Sequence, residues 1–194
     1  MKIVVATKNK HKVGELKEML NMPNIEFFTM SDFNLDIEIV EDGSTFEENA
    51  MIKAKAVYNA LHDENLTVIA DDSGLCVDAL DGRPGVYSAR YAGDHASQEE
   101  TLNKLLNEMK DVPDENRTAK FVCVLTTILK DGNVIVARGE TKGKIAKVPG
   151  PMGKLTYGPV FIPDDFGKVM NELTSEQLKH THREKALQEL INKI

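Results

Sequence analysis

Two adjacent carboxylates, Asp71 and Asp72, follow the apolar run from Thr67 to Ala70. The run is typical of a buried strand, and the Asp-Asp-Ser-Gly sequence after it predicts that the strand ends there. Strand ends in α/β sheets line ligand crevices, and hard cations such as Mg²⁺ prefer carboxylate oxygens. The pair could therefore hold a metal, and one carboxylate beside the metal could deprotonate an attacking water. The alternative is that the pair caps a turn and faces solvent.

A metal site needs further ligands, and the acidic stretch before residue 43 offers Glu38, Glu41 and Asp42. Four basic residues are candidates to neutralise phosphate, namely Lys53, Lys55, Arg83 and Arg90. We favour Lys53 because it continues the helix face of Asn49, whereas Lys55 lies two positions further on and faces differently.

The polar run from Thr7 to Lys12 follows a β-branched apolar run and precedes apolar residues at helical spacing. This order predicts a strand, a loop and a helix. Helix N-termini present free N–H groups and a partial positive charge, so Thr7, Asn9 and Lys12 are candidates for a phosphate cradle. The run lacks the glycine spacing of a P-loop, and ordinary turn and cap chemistry is the alternative.

Three pairs of residues form capping boxes, each of which predicts the start of a helix. The pairs are Ser44 with Glu47, Ser97 with Glu100, and Thr174 with Gln177. Apolar residues at helical spacing extend these helices to Leu61, Met109 and Ile191, respectively.

Further strands are predicted at Ile25 to Phe28, Ala119 to Leu129 and Val134 to Ala137. The last two form a hairpin, because the intervening Asp131-Gly132 sequence supplies the positive φ angles of a tight turn. Strands that alternate with helices predict an α/β fold, with a mixed sheet and helices on its faces. A chain of 194 residues with 41% hydrophobic content suits a single domain over residues 1–194.

The overall charge narrows the class of partner. A formal charge of −7 argues against a surface that coats nucleic acid or an anionic membrane, so a polyanionic ligand needs a local pocket. Cys76 and Cys123 both lie in apolar runs, which is typical of buried thiols in a reducing compartment. No apolar stretch approaches the ~18 residues of a membrane span, and we expect a cytoplasmic protein.

Taken together, the motifs resemble those of the inosine triphosphate pyrophosphatase family, the noncanonical purine nucleoside triphosphate pyrophosphatases. The resemblance covers most of the chain and rests on six segments. They are Thr7-x-Asn9-x-x-Lys12, the run from Thr45 to Ala50 with Lys53-Ala54, the run from Ala70 to Leu75, the run from Pro84 to Gly93, Arg117-x-Ala119-x-Phe121-x-Cys123, and His182-Arg183-x-x-Ala186-Leu187 near the C-terminal end.

The resemblance implies a fold with an elongated mixed sheet and two lobes around a central nucleotide-binding cleft. It implies hydrolysis of inosine, deoxyinosine and xanthosine triphosphates (ITP, dITP and XTP) to the monophosphate and pyrophosphate. Mg²⁺ is the implied cofactor, and a homodimer is the implied assembly. Neither a nucleic-acid polymer nor a membrane is implied as a partner.

The resemblance also implies roles for individual residues. Asp72 is the implied water-activating base and a metal ligand, with Glu41 as the second ligand and Glu38 as its competitor. The implied substrate-binding residues lie in four groups: Thr7, Lys8, Asn9, Lys10, His11 and Lys12; Lys53 and Ser73; Leu155, Thr156, Tyr157 and Gly158; and Lys179, His182 and Arg183.

The stretch from Lys154 to Pro159 departs from the family's Gly-Phe-Gly-Tyr-Asp-Pro. Leu155 stands where the family's aromatic stacks on the purine, and Gly158 stands where its Asp fixes the base. The helix start also differs, and Lys179 is the candidate to replace the family's lysine. Two alternatives follow: a hydrolase for another nucleoside triphosphate, or a nucleotide-binding protein with weakened turnover.

Overall fold

The computed structural model describes residues 2–7, 13–14, 16–17, 25–61, 63 and 65–193. Its six-stranded sheet has the order β2-β1-β3-β4-β5-β6. The strands are β1 (Lys2–Val5), β2 (Glu26–Thr29), β3 (Leu66–Val77), β4 (Thr118–Ile128), β5 (Val134–Ile145) and β6 (Phe161–Pro163). β1 pairs in parallel with β2 and β3, whereas β5 and β6 are antiparallel. The predicted α/β class with a mixed sheet is confirmed.

The α-helices with defined bounds are α1 (Phe46–Leu61), α2 (Gln98–Glu108), α3 (Ser175–Leu178) and α4 (His182–Ile191). Residues 13, 14, 16 and 17 are also helical, as the spacing after the first strand predicts. None of the described helices has the length and hydropathy needed to cross a lipid bilayer.

The capping boxes at Ser97 and Thr174 are confirmed. The predicted box of Ser44 with Glu47 is wrong by one residue, because the reciprocal pair is Thr45 with Glu48. Thr45 Oγ1 accepts from the Glu48 N–H, and Glu48 Oε2 accepts from the Thr45 N–H. Adjacent Ser-Thr and Glu-Glu pairs fit the box pattern in either register. The single C-terminal helix that was predicted is wrong, because a turn separates α3 from α4.

The predicted end of the strand at Ala70 is also wrong, because β3 continues through Asp71 and Asp72 to Val77. Asp and Gly have low strand propensity, which made this segment look like a turn. However, β3 is an interior strand of the sheet: it pairs with β1 over Leu66 to Ile69 and is hydrogen-bonded to β4 on its other side. That pairing outweighs local propensity, because buried backbone groups must be hydrogen-bonded.

β5 also extends beyond the predicted strand, which ended at Ala137. Its later part contains Gly143, which pairs with Pro163 of β6. A Cβ at Gly143 would lie 2.3 Å from the carbonyl oxygen of Ile162, so only glycine permits this close approach. A glycine between lysines weakens the strand pattern, which explains why the sequence did not reveal this extension.

The chain divides into two compact units. Unit 1 comprises Met1–Asp72, Cys123–Gly139 and Arg183–Ile194, and unit 2 comprises Ser73–Val122 and Glu140–His182. Unit 1 contains two apolar clusters, one built with α1 and the other with α4, and unit 2 contains one cluster that includes Leu105 of α2. The predicted central cleft and the single-domain organisation stay predictions.

Candidate active site

Asp72 faces a lysine ammonium in unit 1. Lys53 Nζ lies 3.9 Å from Asp72 Oδ1 and 2.8 Å from Glu41 Oε2. The Asp72 and Lys53 side chains are only 13% and 14% exposed, and the Glu41 side chain is 32% exposed, so solvent screens these charges incompletely. The structure thus brings together three of the residues selected from the sequence.

Local packing fixes the segment that carries Glu41 against α1. Asn49 is buried in the first part of α1, and its Oδ1 accepts from the Gly43 N–H at 2.9 Å. A Cβ at Gly43 would lie 2.7 Å from both Asn49 Oδ1 and Glu48 Cβ, so the close approach requires glycine. Asn49 and Lys53 are four residues apart and therefore lie on one helix face. This face positions Lys53 beside Glu41.

Asp71 faces a different cation from its neighbour. Its Oδ2 lies 3.8 Å from a guanidinium nitrogen of Arg183, in the first turn of α4. Successive side chains of a strand point to opposite faces of the sheet. Accordingly, Ile69 packs in the apolar cluster that contains α4 residues, and Ala70 packs in the cluster that contains α1 residues. Alternation therefore directs Asp71 towards Arg183 and Asp72 towards Lys53.

Thr7 lies two residues beyond the end of β1, at the start of the predicted phosphate loop. Its N–H donates to the Val5 carbonyl at 2.7 Å, and its carbonyl accepts from the Met30 N–H at 3.4 Å. The other residues of that loop, Lys8 to Lys12, lie outside the described residues.

Ser73 follows Asp72 directly in β3 and belongs to unit 2, where its hydroxyl oxygen is buried. Glu38, the competing metal ligand, is exposed. The remaining basic candidates make other contacts or face solvent. Arg83 pairs with Glu108 at 2.8 Å, Arg90 lies over the Tyr87 ring, and Lys55 is exposed. Among these basic candidates, Lys53 is observed in an ion pair with Asp72.

The segment from Leu155 to Gly158, here called the 155–158 loop, is anchored within unit 2. Tyr157 is buried, and its hydroxyl donates to the Ser88 carbonyl at 2.7 Å. Burial raises the pKa of Tyr157, so the hydroxyl stays protonated and keeps donating. The Leu155 and Thr156 carbonyls accept from the Gln98 side-chain amide at 2.8 and 3.1 Å. Tyr157 is therefore an anchor of this loop.

Gly158 packs directly against Asn171, a residue that the sequence analysis missed. A Cβ at Gly158 would lie 1.9 Å from Asn171 Oδ1 and 2.6 Å from Asn171 Cγ. Asn171 Nδ2 donates to the Pro151 carbonyl at 3.1 Å, and a Cβ at Gly153 would lie 2.8 Å from this nitrogen. The Asn171 amide is thus held between Gly153 and Gly158. The spacing of these two glycines was the only feature of the sequence that could have indicated this contact.

The last group of predicted substrate-binding residues is divided between two environments. Lys179 is exposed and pairs with Glu176 at 2.9 Å. His182 is buried and stacks on Phe121, with ring centroids 4.9 Å apart and an interplanar angle of 14°. Phe121 is a second residue that the site prediction missed.

The arrangement of Glu41 and Asp72 fits a divalent cation of the Mg²⁺ type. Their carboxylate oxygens approach the same ammonium, so both are directed to a place where positive charge is held. Within the described residues, no group of three or more His, Cys, Asp or Glu side chains forms a metal cluster. Mg²⁺ commonly binds through one or two carboxylates together with phosphate and water, so two carboxylates suit a metal that arrives with a nucleotide.

This fold occurs in a known class of protein. The chain belongs to the Ham1 family, whose model matches residues 3–193. Its backbone is similar to the solved structure of the Ham1 protein from Staphylococcus aureus, with a TM-score of 0.90 and 38% sequence identity. That likeness covers 100% of this chain and 97% of the other.

Two curated relatives narrow the comparison. A protein of Vibrio cholerae named dITP/XTP pyrophosphatase is 44% identical over 196 residues, covering 100% of this chain and 96% of its own. A protein of Clostridium perfringens with the same name is 39% identical over 197 residues, covering 100% and 97%. The resemblance to a nucleoside triphosphate pyrophosphatase family is thereby confirmed.

Proposed function

We propose that this chain is a hydrolase that converts ITP, dITP and XTP to the nucleoside monophosphates and pyrophosphate. The observation that carries the proposal is the grouping of Asp72, Glu41 and Lys53 in a chain whose full-length relatives are named dITP/XTP pyrophosphatases. The reaction removes deaminated purines from the nucleotide pool. Those names do not favour the two alternatives, a hydrolase for another triphosphate and a binding protein with weakened turnover.

In the proposed reaction, one water is consumed per triphosphate. Asp72 accepts a proton from the attacking water, whose oxygen bonds to phosphorus as the α–β anhydride bond breaks and pyrophosphate leaves. Lys53 neutralises phosphate charge from its position beside Asp72. Glu41 and Asp72 would hold a divalent cation, which would neutralise further charge on the phosphate oxygens.

The substrate is bound by the residues that the family resemblance implies. In the proposed complex, the loop from Thr7 to Lys12 binds the triphosphate, and Ser73 contacts it. The 155–158 loop, Lys179, His182 and Arg183 bind the base. Asp71 orients Arg183, since a carboxylate that is only 11% exposed restrains a neighbouring guanidinium.

The experiment is a pyrophosphate-release assay with ITP, dITP, XTP, ATP and GTP, each with and without Mg²⁺. We expect Mg²⁺-dependent release with the highest kcat/KM on the first three substrates. Asp72→Asn keeps the side-chain shape but binds metal less well and cannot take the proton, so its rate should fall by about 10²-fold or more. Asp94→Asn is the matched control, because Asp94 is exposed and has no role in the proposed site.

Two outcomes would contradict the proposal. Equal kcat/KM values for ITP and ATP would remove the assignment to deaminated purines. An Asp72→Asn variant that keeps more than about half of the wild-type rate at saturating Mg²⁺ would remove Asp72 as base and ligand.

We also propose that the protein is a cytoplasmic homodimer. The basis is the family resemblance together with two thiols and an acidic composition. Light scattering on the purified protein tests the assembly, and a monomeric mass at micromolar concentration would contradict it.

A further inference from the structure

Lys53 lies where two carboxylates converge, and the mechanism above uses it only for its charge towards phosphate. Its ammonium is 2.8 Å from Glu41 Oε2 and 3.9 Å from Asp72 Oδ1. These are the two carboxylates to which the proposed function assigns the divalent cation. One ammonium and one metal ion would therefore share the same two carboxylates as partners.

The ammonium is held in this place by the fold. Asn49 ties the Glu41 segment to α1 through the Gly43 N–H, one helical turn before Lys53. The Lys53 side chain is 14% exposed and the Asp72 side chain is 13% exposed, so neither charge is simply solvated. A lysine stem is flexible, and its point charge can swing to another anion without loss of geometry.

A divalent cation and this ammonium oppose each other electrostatically. Both are attracted by the same carboxylates, and like charges a few ångströms apart repel each other most strongly where solvent screening is weak. Carboxylate oxygen is the preferred ligand of Mg²⁺, which leaves Lys53 as the group that has to move.

We propose that Lys53 is an internal competitor of the divalent cation. Its ammonium holds the Glu41 and Asp72 carboxylates in an ion-paired cluster until the metal displaces it. The displaced ammonium is then available to the phosphates that accompany the metal. This inference rests on the proposed function for the identity of the metal ligands. It makes Lys53 a positioning residue whose effect on metal affinity is opposite to its effect on nucleotide hydrolysis.

The test is a calorimetric titration of Mn²⁺ into the protein without nucleotide. Lys53→Met removes the charge and keeps a similar stem, and we expect Mn²⁺ to bind about tenfold more tightly, which corresponds to removal of one competing charge worth ~1.4 kcal/mol. Lys53→Arg keeps the charge and should bind Mn²⁺ as the wild type does. Lys55→Met is the matched control, because Lys55 is exposed and lies on a different face of α1.

A second measurement uses the wild-type chain, so it does not depend on the folding of a variant. Amine acetylation is followed residue by residue by mass spectrometry with and without Mg²⁺. Displacement of Lys53 from the carboxylates should raise its labelling rate relative to that of Lys55, because an ion-paired ammonium that is only 14% exposed is less accessible to the reagent.

The results separate this inference from the proposed function. Tighter Mn²⁺ binding by Lys53→Met supports the competitor role, since loss of a merely structural lysine would weaken Mn²⁺ binding. The competitor role is overturned if Lys53→Met binds Mn²⁺ as weakly as the wild type or more weakly. It is also overturned if the labelling rate of Lys53 does not change when Mg²⁺ is added. Because neither measurement contains nucleotide, both remain decisive if the chain fails to hydrolyse ITP.

Discussion

Replacement of Gly158 by alanine tests the packing that anchors the 155–158 loop. The added Cβ would lie 1.9 Å from Asn171 Oδ1 and 2.6 Å from Asn171 Cγ, both far inside van der Waals contact. Overpacking of this kind costs about 1–3 kcal/mol. For a chain of this length each kcal/mol lowers Tm by about 2–4 °C, so we expect a decrease of about 2–12 °C.

The assay is thermal unfolding followed by circular dichroism, with a double-mutant cycle. Asn171→Ala removes both clashing atoms and loses one hydrogen bond to Pro151, at about 0.5–1.5 kcal/mol. In that background Gly158→Ala should cost much less, although Leu155 Cβ at 3.0 Å still restricts the new methyl group. Gly14→Ala is the control, because Gly14 is exposed and helical and its Cβ would meet nothing within 4 Å.

Equal destabilisation by Gly158→Ala in the two backgrounds would refute the reasoning, because the penalty would not come from Asn171. The same geometry bears on base recognition. The family resemblance predicts that Leu155→Phe with Gly158→Asp sharpens the preference for ITP over ATP. The structure adds that Asn171→Ala must accompany this pair. An unchanged ratio of kcat/KM values in the folded triple variant would mean that this loop does not read the base.

Two further predictions concern other parts of the chain. Lys12→Ala should mainly raise KM for the triphosphate, because a lysine in the phosphate cradle attracts charge that is present in both the ground state and the transition state. Steady-state kinetics check this prediction, and a fall in kcat at constant KM would contradict it. Burial and the hydrogen bond to Glu108 raise the pKa of Tyr91 to about 12. The unfolded phenol ionises first, so stability should fall between pH ~10 and ~12, and Tyr91→Phe should flatten this decline in urea unfolding. An equally steep decline in Tyr91→Phe would remove Tyr91 as its source.

Local sequence signals predicted those elements whose stability is itself local. The capping box at Ser97 specified the start of α2 because cap and helix are adjacent in the chain. The run from Thr174 to Ile191 was less well predicted, since apolar spacing alone does not reveal the turn between α3 and α4. The capping box at Thr174 was predicted correctly, whereas the prediction of one continuous helix was wrong.

Contacts between distant residues account for what the sequence did not reveal. Asn171 has no feature that marks it, and its importance comes from Gly158 and Gly153, which the chain brings against it. The stacking of His182 on Phe121 likewise joins α4 and β4, which are far apart in sequence. By contrast, the choice of Lys53 over Lys55 rested on helical periodicity alone, and the contact of Lys53 with Asp72 agrees with it.

The uninterrupted course of β3 changes how the two adjacent aspartates should be understood. In a turn, Asp71 and Asp72 could serve one metal together, as the residue types suggested. In a strand, alternation places neighbouring side chains on opposite faces, so Asp71 meets Arg183 of α4 and Asp72 meets Lys53 of α1. Two residues of identical chemistry thereby take different partners. The proposed division of roles, with Asp72 towards metal and water and Asp71 towards Arg183, follows from the period of the strand rather than from the side chains themselves.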